Sequence, residues 1–171
     1  MSSPARRPEN LSRAQGTVAS LHVHPPESGE PFTPVEVMHL IAGKGVEKDL
    51  RYFARMSRST GKPSRRQVSL IEREQISEHA AVLGLVRIPP GVVRSNLETR
   101  GIDLQALVGR QVQVGEAVVL FYEPRLPCHQ MDAIAPGLRK LMEEGRQGVM
   151  AEVIRSGVVR AGDVIRLMEE A

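Results

Sequence analysis

Aromatic residues are scarce in this sequence: it has no tryptophan, two tyrosines and three phenylalanines, together 3% of its 171 residues. Proteins that hold single-stranded nucleic acid rely on aromatic side chains against which the bases stack. The scarcity of such side chains disfavours a module that reads RNA. We therefore do not expect nucleic acid as a partner.

Cysteine and long apolar segments are also scarce. The single cysteine, Cys128, cannot form a disulfide within the chain, which is typical of a reducing compartment. No run of about 18 apolar residues occurs, and residues 1–25 lack the apolar centre of a secretory signal. We therefore expect a cytoplasmic protein that does not enter membranes, and its free thiol calls for an explanation.

The remaining composition is typical of one folded domain. Hydrophobic residues make up 41% of the chain and charged residues 25%, and 171 residues suffice to bury one core. Residues 1–15 show no periodicity, so we predict a flexible segment there and a single domain over residues 16–171. The net charge of +3 is uneven, because residues 1–70 carry 11 basic and 6 acidic side chains. The positive potential therefore belongs to the first half of the chain.

Short strands dominate the predicted secondary structure. Alternating apolar and β-branched residues predict about seven strands in all. They fall within residues 16–25, 32–43, 66–71 and 89–101, with two strands joined at Gly115 and Glu116 within 110–124 and two more within 147–170. The segments 16–25 and 32–43 are predicted to pair as a hairpin.

Helices are few and short. Residues 72–84 have Ile76, Ala80 and Leu83 on one face and end at Gly84, which predicts a helix. Residues 136–145 predict a second helix, and Asp103 opens one short helical turn. Two or three short helices among many strands favour a mainly β fold, a closed or nearly closed antiparallel β-barrel. A doubly wound parallel sheet would need more helices.

The segment around Cys128 is the first candidate for chemistry. A thiol reacts as its thiolate, which nearby positive charge favours, and Arg125 and His129 could supply that charge. Pro124 and Pro127 prevent pairing as a central strand, so we predict a rigid surface turn. The alternative is a buried, inert cysteine, since free cysteines are often buried.

Residues 44–66 are predicted to form a long basic loop, with eight cations against Glu47 and Asp49. These cations could line a pocket for a phosphorylated cofactor, or they could form an ordinary solvated loop. The run Arg94, Ser95 and Asn96 offers a guanidinium, a hydroxyl and an amide. At the end of a strand such donors suit an oxyanion or a phosphate, and they suit a turn equally well.

Other familiar sites are weakly supported. His22 and His24 share one strand face and could meet His39 around a metal, but no carboxylate or cysteine joins them at a recognisable metal spacing. The sequence contains neither of the glycine-rich phosphate-binding motifs and no serine in a nucleophile-elbow context. Nucleotide binding and serine-triad chemistry are therefore unsupported.

Five segments carry motifs that occur together, in the same order, in one known family. They are GVEKDLRY (45–52), RQVSLIERE (66–74), PGVVRSNLETRGIDLQALVGRQVQVGEAVV (90–119), RLPCHQMD (125–132) and GVMAEVIRSGVVRAGDVI (148–165). In these segments the chain resembles the MOSC domain, the C-terminal domain of molybdenum cofactor sulfurases. The resemblance spans roughly residues 16–168.

The resemblance implies a β-barrel of that family and a site around Cys128. Cys128 matches the cysteine proposed in the family to carry sulfur as a persulfide or to meet molybdenum. The predicted site residues are Cys128, Arg125 and His129 for catalysis, Cys128 also for metal, and Arg66, Gln67, Arg94, Ser95, Asn96, Asp49 and Arg51 for cofactor binding; Arg125 and His129 are chosen for their position beside the thiol. Family members often have Gly-Asp-Arg or Gly-Asp-His where this chain has Lys48-Asp49-Leu50-Arg51, so the first-loop contacts differ here.

The leading functional hypothesis is a stand-alone protein that carries persulfide sulfur on Cys128 or binds the molybdenum cofactor, a molybdopterin. Its partner would be a cysteine desulfurase or an electron-transfer protein. We expect no pyridoxal phosphate on this chain, because the desulfurase domain that carries it in full sulfurases does not fit in 171 residues. One alternative is a molybdenum-dependent reductase of N-hydroxylated compounds. Another is a non-catalytic barrel that binds polyanions or a protein through residues 44–66.

Overall fold

The computed structural model describes residues 14–169, so nearly all of the predicted flexible segment lies outside the described residues. Within that range the chain forms eleven strands and three short helices. The strands are β1 (Gln15–Val23), β2 (Thr33–Val35), β3 (Val37–Ile41), β4 (Gly45–Val46), β5 (Val68–Glu72), β6 (Leu97–Arg100), β7 (Gln111–Val114), β8 (Ala117–Pro124), β9 (Val149–Arg155), β10 (Gly157–Arg160) and β11 (Val164–Leu167). The helices are α1 (Arg73–Val82), α2 (Gln130–Ile134) and α3 (Leu138–Leu141), and Gln105–Leu107 form a 3₁₀ turn.

Seven strands close into a barrel in the order β1-β11-β7-β8-β9-β5-β6, and β6 pairs with β1 to complete the ring. The closure between β1 and β11 pairs Gln15 with Arg166 and Thr17 with Val164. β2 pairs with the far end of β1, outside the ring. The prediction of a mainly β, closed barrel is confirmed.

One pair in the barrel is parallel, whereas the sequence predicted an antiparallel barrel. β5 and β6 run in the same direction, with Leu70 opposite Leu97, and α1 makes the crossover between them. A parallel pair needs such a crossover because its strands start at the same end of the sheet. Every other pair in the ring is antiparallel, so the prediction is correct for six of the seven pairs.

Neighbouring residues of β5 supply two separate cores. Leu70 points into the barrel interior with Val18, Phe121 and other apolar side chains, and Ile71 packs on the outside beneath α1. Because strand side chains alternate between faces, a strand that is covered on both sides is apolar throughout. Helices α1, α2 and α3 share the outer core through Ile76, Met131 and Leu138.

A small second sheet of β10, β3 and β4 lies beside the barrel. The segment 32–43, predicted as one strand, is divided at Glu36 into β2, which pairs with β1, and β3, which pairs with β10. The predicted strand 89–101 is ordered as a strand only from Leu97. Two prolines and the positive φ angles of Gly91 (83°) and Arg94 (63°) make the preceding residues a turn.

The helix predicted over residues 72–84 is confirmed as α1, and Gly84, with a φ angle of 70°, follows its end. The basic segment 44–66 is mostly turns, as predicted, with β4 at its start and an isolated bridge between Met56 and Pro63. No described helix combines the length and apolar character needed to cross a bilayer.

Candidate functional site at Cys128

The cysteine occupies a surface turn between β8 and α2. The last paired residue of β8 is Pro124, opposite Val149, after which the Arg125 amide donates to the Gly148 carbonyl at 2.9 Å. The thiol of Cys128 is exposed, and Gln130 Oε1 lies 3.8 Å from its sulfur. The segment after Pro124 leaves the sheet, as predicted from the two prolines, and the sulfur can be reached from solvent.

Arg125 is the cation that precedes the thiol in the same turn. Its Nη1 atom is buried and has no hydrogen-bond partner among the described residues, although the residue as a whole is only half-buried. Burial lowers the pKa of Arg125 to about 10; Tyr52 and Cys128 act against that shift, and the positive charges of Arg66 and Arg94 add to it. A buried guanidinium nitrogen without an acceptor favours an anion nearby.

Arg94 is the second cation near the thiol. It lies in the left-handed region of the turn before β6, its guanidinium is 5.0 Å from the ring of Phe32, and it donates to the Glu30 carbonyl. Burial lowers the pKa of Arg94, Cys128 opposes the shift, and the charge of Arg51 reinforces it. The sulfur therefore lies within electrostatic range of two guanidinium groups from separate parts of the chain.

The basic loop supplies the outer part of the same cluster. Arg66 lies 5.4 Å from the ring centre of Tyr52, and the phenol of Tyr52 is within electrostatic range of both Arg94 and Arg125. The structure thus brings together five of the predicted site residues: Cys128, Arg125, Arg94, Arg66 and Arg51. Below, these five residues with Tyr52 are called the thiol cluster.

Asp49 is hydrogen-bonded to the backbone of two members of the thiol cluster, Arg51 and Tyr52. Its buried carboxylate accepts hydrogen bonds from His24 Nδ1 at 2.8 Å, from the amides of Arg51 and Tyr52 at 3.0 Å each, and from Asn96 Nδ2 at 3.3 Å. Burial alone would raise the pKa of Asp49, but the hydrogen bond and charge of His24 and the two amides outweigh it and lower the pKa to about 2. Asp49 therefore fixes the backbone that presents Arg51 and Tyr52.

Asn96 joins the parallel strands behind the cluster. Its side-chain Oδ1 accepts hydrogen bonds from the backbone amide and the hydroxyl of Ser69 at 3.0 and 3.1 Å. Its backbone amide donates to Ser69 Oγ at 2.9 Å, and its side-chain Nδ2 donates to the His22 carbonyl at 3.1 Å. Ser95 is fully buried, and its hydroxyl donates to the Leu97 carbonyl at 3.3 Å. Both side chains are thus bonded within the chain and hold Arg94 in place.

Gln67 is also a buried internal partner. Its Nε2 donates to the Ser64 carbonyl at 2.9 Å, and its Oε1 accepts from the amide of Val153 at 2.8 Å. These bonds fasten the end of the basic loop to β9. Of these two predicted cofactor-binding residues, Arg66 is exposed at the cluster and Gln67 anchors the segment that carries it.

Of the four candidate histidines, His129 directly follows Cys128, and the other three make contacts elsewhere. His129 is exposed and directly precedes α2. His22 donates from Nδ1 to the Ser95 carbonyl at 2.9 Å, His24 bonds to Asp49, and His39 lies in β3 of the second sheet, opposite Val158. In residues 14–169 no three His, Cys, Asp or Glu side chains are grouped so that they could bind a metal ion.

Three aromatic contacts of the site were not predicted from the sequence. The ring of His24 lies 4.2 Å from that of Phe32 and 4.5 Å from that of Tyr52, so Tyr52, His24, Phe32 and Arg94 form one packed group. The sequence signal was slight, namely that Tyr52 is one of only two tyrosines and falls in the basic loop. Two of the five tyrosine and phenylalanine residues of the chain, Tyr52 and Phe32, thus lie in the group that contains Arg94.

Comparison with known proteins gives consistent results. A family model described as the MOSC domain matches residues 44–166. Similar crystal structures include the YuaD protein of Bacillus subtilis, with 20% identity, a TM-score of 0.75 and coverage of 92% of this chain and 97% of that one. YiiM from Escherichia coli has 20% identity, a TM-score of 0.66 and coverage of 92% and 71%. YiiM from Geobacillus stearothermophilus has 19% identity, a TM-score of 0.69 and coverage of 90% and 75%. No curated protein matches.

Proposed function

The chain belongs to the MOSC domain family, and from that premise we propose that it carries sulfur as a persulfide on Cys128. The observation that supports this most directly is the exposed thiol within range of Arg94 and Arg125, one of which has a buried nitrogen without a partner among the described residues. Guanidinium groups near a sulfur favour its anionic form, which is the nucleophile. An anion on the sulfur would also compensate the buried charge of Arg125.

The proposed step is an exchange between a thiolate and a persulfide. The Cys128 thiolate attacks the outer sulfur of a donor persulfide, a new S–S bond forms on Cys128, and the S–S bond of the donor breaks. The electron pair of the broken bond stays on the donor sulfur, which takes the proton released by the persulfide. The product on Cys128 is an anionic persulfide, and Arg94 and Arg125 would stabilise its charge.

The same residues fit the molybdenum cofactor that the family implies. A thiolate from Cys128 could be a ligand of the metal, and the phosphate of the pterin would find Arg51, Arg66, Arg94 and Arg125 around it. The Nη1 of Arg125, which has no hydrogen-bond partner within residues 14–169, is the atom that an anion would most directly satisfy. When bound, the cofactor would supply oxygen-atom transfer, which is the chemistry that a reductase of N-hydroxylated compounds requires.

The decisive experiment is intact mass spectrometry after incubation with a cysteine desulfurase and cysteine. We expect the mass to rise by one sulfur atom, the adduct to lie on the peptide of Cys128, and a reducing agent to remove it. The Cys128→Ser variant should gain no sulfur. A protein that gains none, or that gains it equally in both forms, would refute the sulfur-carrier function.

Molybdenum quantification on the same sample distinguishes the alternatives. Stoichiometric molybdenum that disappears in Cys128→Ser would favour the cofactor-binding protein or the reductase. If neither sulfur nor molybdenum is found, the remaining candidate is the non-catalytic barrel, whose anion binding should fall steeply with salt and be indifferent to the thiol.

A further inference from the structure

We propose that residues 44–66 together with Leu126 form a docking surface for an acidic sulfur-donor protein; below we call it the docking face. The docking face has this role only if Cys128 receives sulfur from a protein, so it rests on the proposed function. Exchange of a persulfide requires the two sulfur atoms to come into bonding contact. A donor protein must therefore cover the surface that surrounds Cys128.

The charge of the docking face is strongly one-sided. All eight of its cations are exposed: Lys44, Lys48, Arg51, Arg55, Arg58, Lys62, Arg65 and Arg66. Among the described residues only Arg65 of these has an ion pair, with Glu152 at 3.0 Å. Of the two acidic residues in this segment, Asp49 is buried on His24 and only Glu47 is exposed. An acidic partner would complement this surface and be steered towards the thiol.

Exposed aliphatic side chains accompany these cations. Leu126 is 82% exposed, Leu50 is 71% exposed and Met56 is 52% exposed. Leu126 precedes the thiol by two residues, and Leu50 directly precedes Arg51 of the thiol cluster. Exposed apolar side chains that are surrounded by charged residues, as these are, suit a protein partner that offers apolar recesses.

The same surface is poorly suited to nucleic acid. Single-stranded bases need free aromatic faces, and Tyr52 is already engaged by the ring of His24 and the guanidinium of Arg66. Exposed leucine and methionine side chains offer nothing to a phosphate backbone. An acidic protein surface with apolar recesses therefore matches both properties of the docking face.

The docking face is also held in shape before any partner arrives. The Ala54 amide donates to the Lys44 carbonyl at 2.9 Å, and the Ser57 amide donates to the Lys62 carbonyl at 2.8 Å. A bridge between Met56 and Pro63 closes the tip of this segment. A surface organised in advance loses less conformational entropy when it binds.

The test compares two charge-reversed variants with two sulfur donors. Arg55→Glu with Arg58→Glu reverses exposed cations of the docking face that lie outside the thiol cluster. The matched control, Arg87→Glu with Arg100→Glu, reverses two exposed cations that line a separate cavity of about 580 Å³ beside α1. The donors are a purified cysteine desulfurase in its persulfide form and free cysteine persulfide, and the readout is the rate at which sulfur appears on Cys128.

We expect the docking-face variant to accept sulfur from the desulfurase at least about tenfold more slowly than the wild type at low salt, and to react normally with cysteine persulfide. The control variant should match the wild type with both donors. Equal rates in wild type and docking-face variant, or equal slowing in the control, would overturn the docking face. Failure of cysteine persulfide to load the wild type would instead refute the sulfur-carrier function.

A binding measurement keeps the docking face testable without sulfur transfer. Desulfurase binding to the Cys128→Ser chain should survive the loss of the thiol, weaken in the docking-face variant and weaken with salt. Leu126→Ser should weaken binding without changing its salt dependence. If a DNA or RNA oligonucleotide bound the docking face and the desulfurase did not, the acidic-protein assignment would be wrong.

Discussion

At the scale of single residues, the proposed chemistry depends on the positive charges of Arg94 and Arg125 near Cys128. Burial lowers the pKa of both Arg94 and Arg125, and the neighbouring Cys128 opposes this shift in each case. An anion on the sulfur would therefore stabilise the charged forms of the two guanidinium groups. This is the physical reason to propose a charged persulfide, or a charged cofactor, at this turn.

Asp49 gives a prediction about acid stability. Its pKa of about 2 in the folded protein lies below its ordinary value of 3.8, so it contributes stability that is fully present above about pH 4 and is lost as the pH falls towards 2. Asp49→Asn should lower the free energy of unfolding by about 2 kcal/mol near pH 7. The difference from the wild type should shrink as the pH falls from about 4 to about 2.

Urea unfolding followed by circular dichroism over a series of pH values measures this effect. Glu36→Gln is the matched control, because Glu36 is exposed whereas Asp49 is buried. Its stability should follow the wild type at each pH. A deficit in Asp49→Asn that stays constant between pH 7 and 2 would show that the carboxylate charge contributes nothing.

The structure brings together the charged residues of the predicted site and places the uncharged ones, with Asp49, in buried networks. Cys128, Arg125, Arg94, Arg66 and Arg51 were chosen because thiol and phosphate chemistry needs cations, and they do come together. Ser95, Asn96, Gln67 and Asp49 are equally polar, but their side chains point inward and bond within the chain. Polarity alone does not say whether a side chain faces a ligand or completes a buried network, because both environments reward hydrogen-bonding groups.

At the scale of elements, the turns that carry the site depend on backbone shapes that local periodicity does not reveal. Arg94 has a φ angle of 63°, an uncommon value for a residue with a side chain, and it follows Gly91, at 83°. The alternation of apolar residues around them predicted a strand. The strand begins only at Leu97. Arg94 therefore belongs to the preceding turn, where it lies within electrostatic range of the thiol.

Gly148 provides a prediction for the approach of β9 to β5. A Cβ atom at this position would lie 1.8 Å from the Leu70 carbonyl oxygen, and its φ angle is 79°. Its own carbonyl accepts from the Arg125 amide, so a shift here would also move the thiol turn. We expect Gly148→Ala to cost more than about 3 kcal/mol of stability, measured by urea unfolding.

The matched control for this glycine is Gly29, which also has a positive φ angle, 91°. A Cβ atom added to Gly29 would meet no heavy atom of the described residues within 4 Å, apart from its own chain neighbours. Gly29→Ala therefore isolates backbone strain and should cost only about 1 kcal/mol. Similar losses in the two variants would mean that the close approach of Gly148 to β5 does not matter for stability.

At the scale of the whole molecule, strand identity and strand pairing differ in how far they follow from the sequence. Periodicity within a few residues predicted most strands and the mainly β class. It could not place α1 as the crossover of a parallel pair or send β3 to a second sheet, because those outcomes depend on contacts between distant segments. The pattern of short strands and the resemblance of five ordered motifs both predicted a barrel, and the pairing of β1 with β11 and with β6 closes it.

Closure of the barrel rests on the pairing of β1 with β11, which yields a final prediction. Ile165 is fully buried in β11, whereas its neighbour Val164 is 45% exposed on the opposite face. Ile165→Asp would place a carboxylate in the apolar interior, so we expect it to cost more than about 3 kcal/mol and to expose the edges of β1 and β7. Val164→Asp should change stability by about 0.5 kcal/mol or less, since its side chain stays in water.

Thermal unfolding and size-exclusion chromatography of the two variants measure this closure. Ile165→Asp should melt at a lower temperature and elute partly as aggregate, because open strand edges pair between molecules. Val164→Asp should elute like the wild type. Equal behaviour of the two variants would mean that β11 is not needed to close the ring, and the turn that carries Cys128 would then be held by β8, β9 and β5 alone.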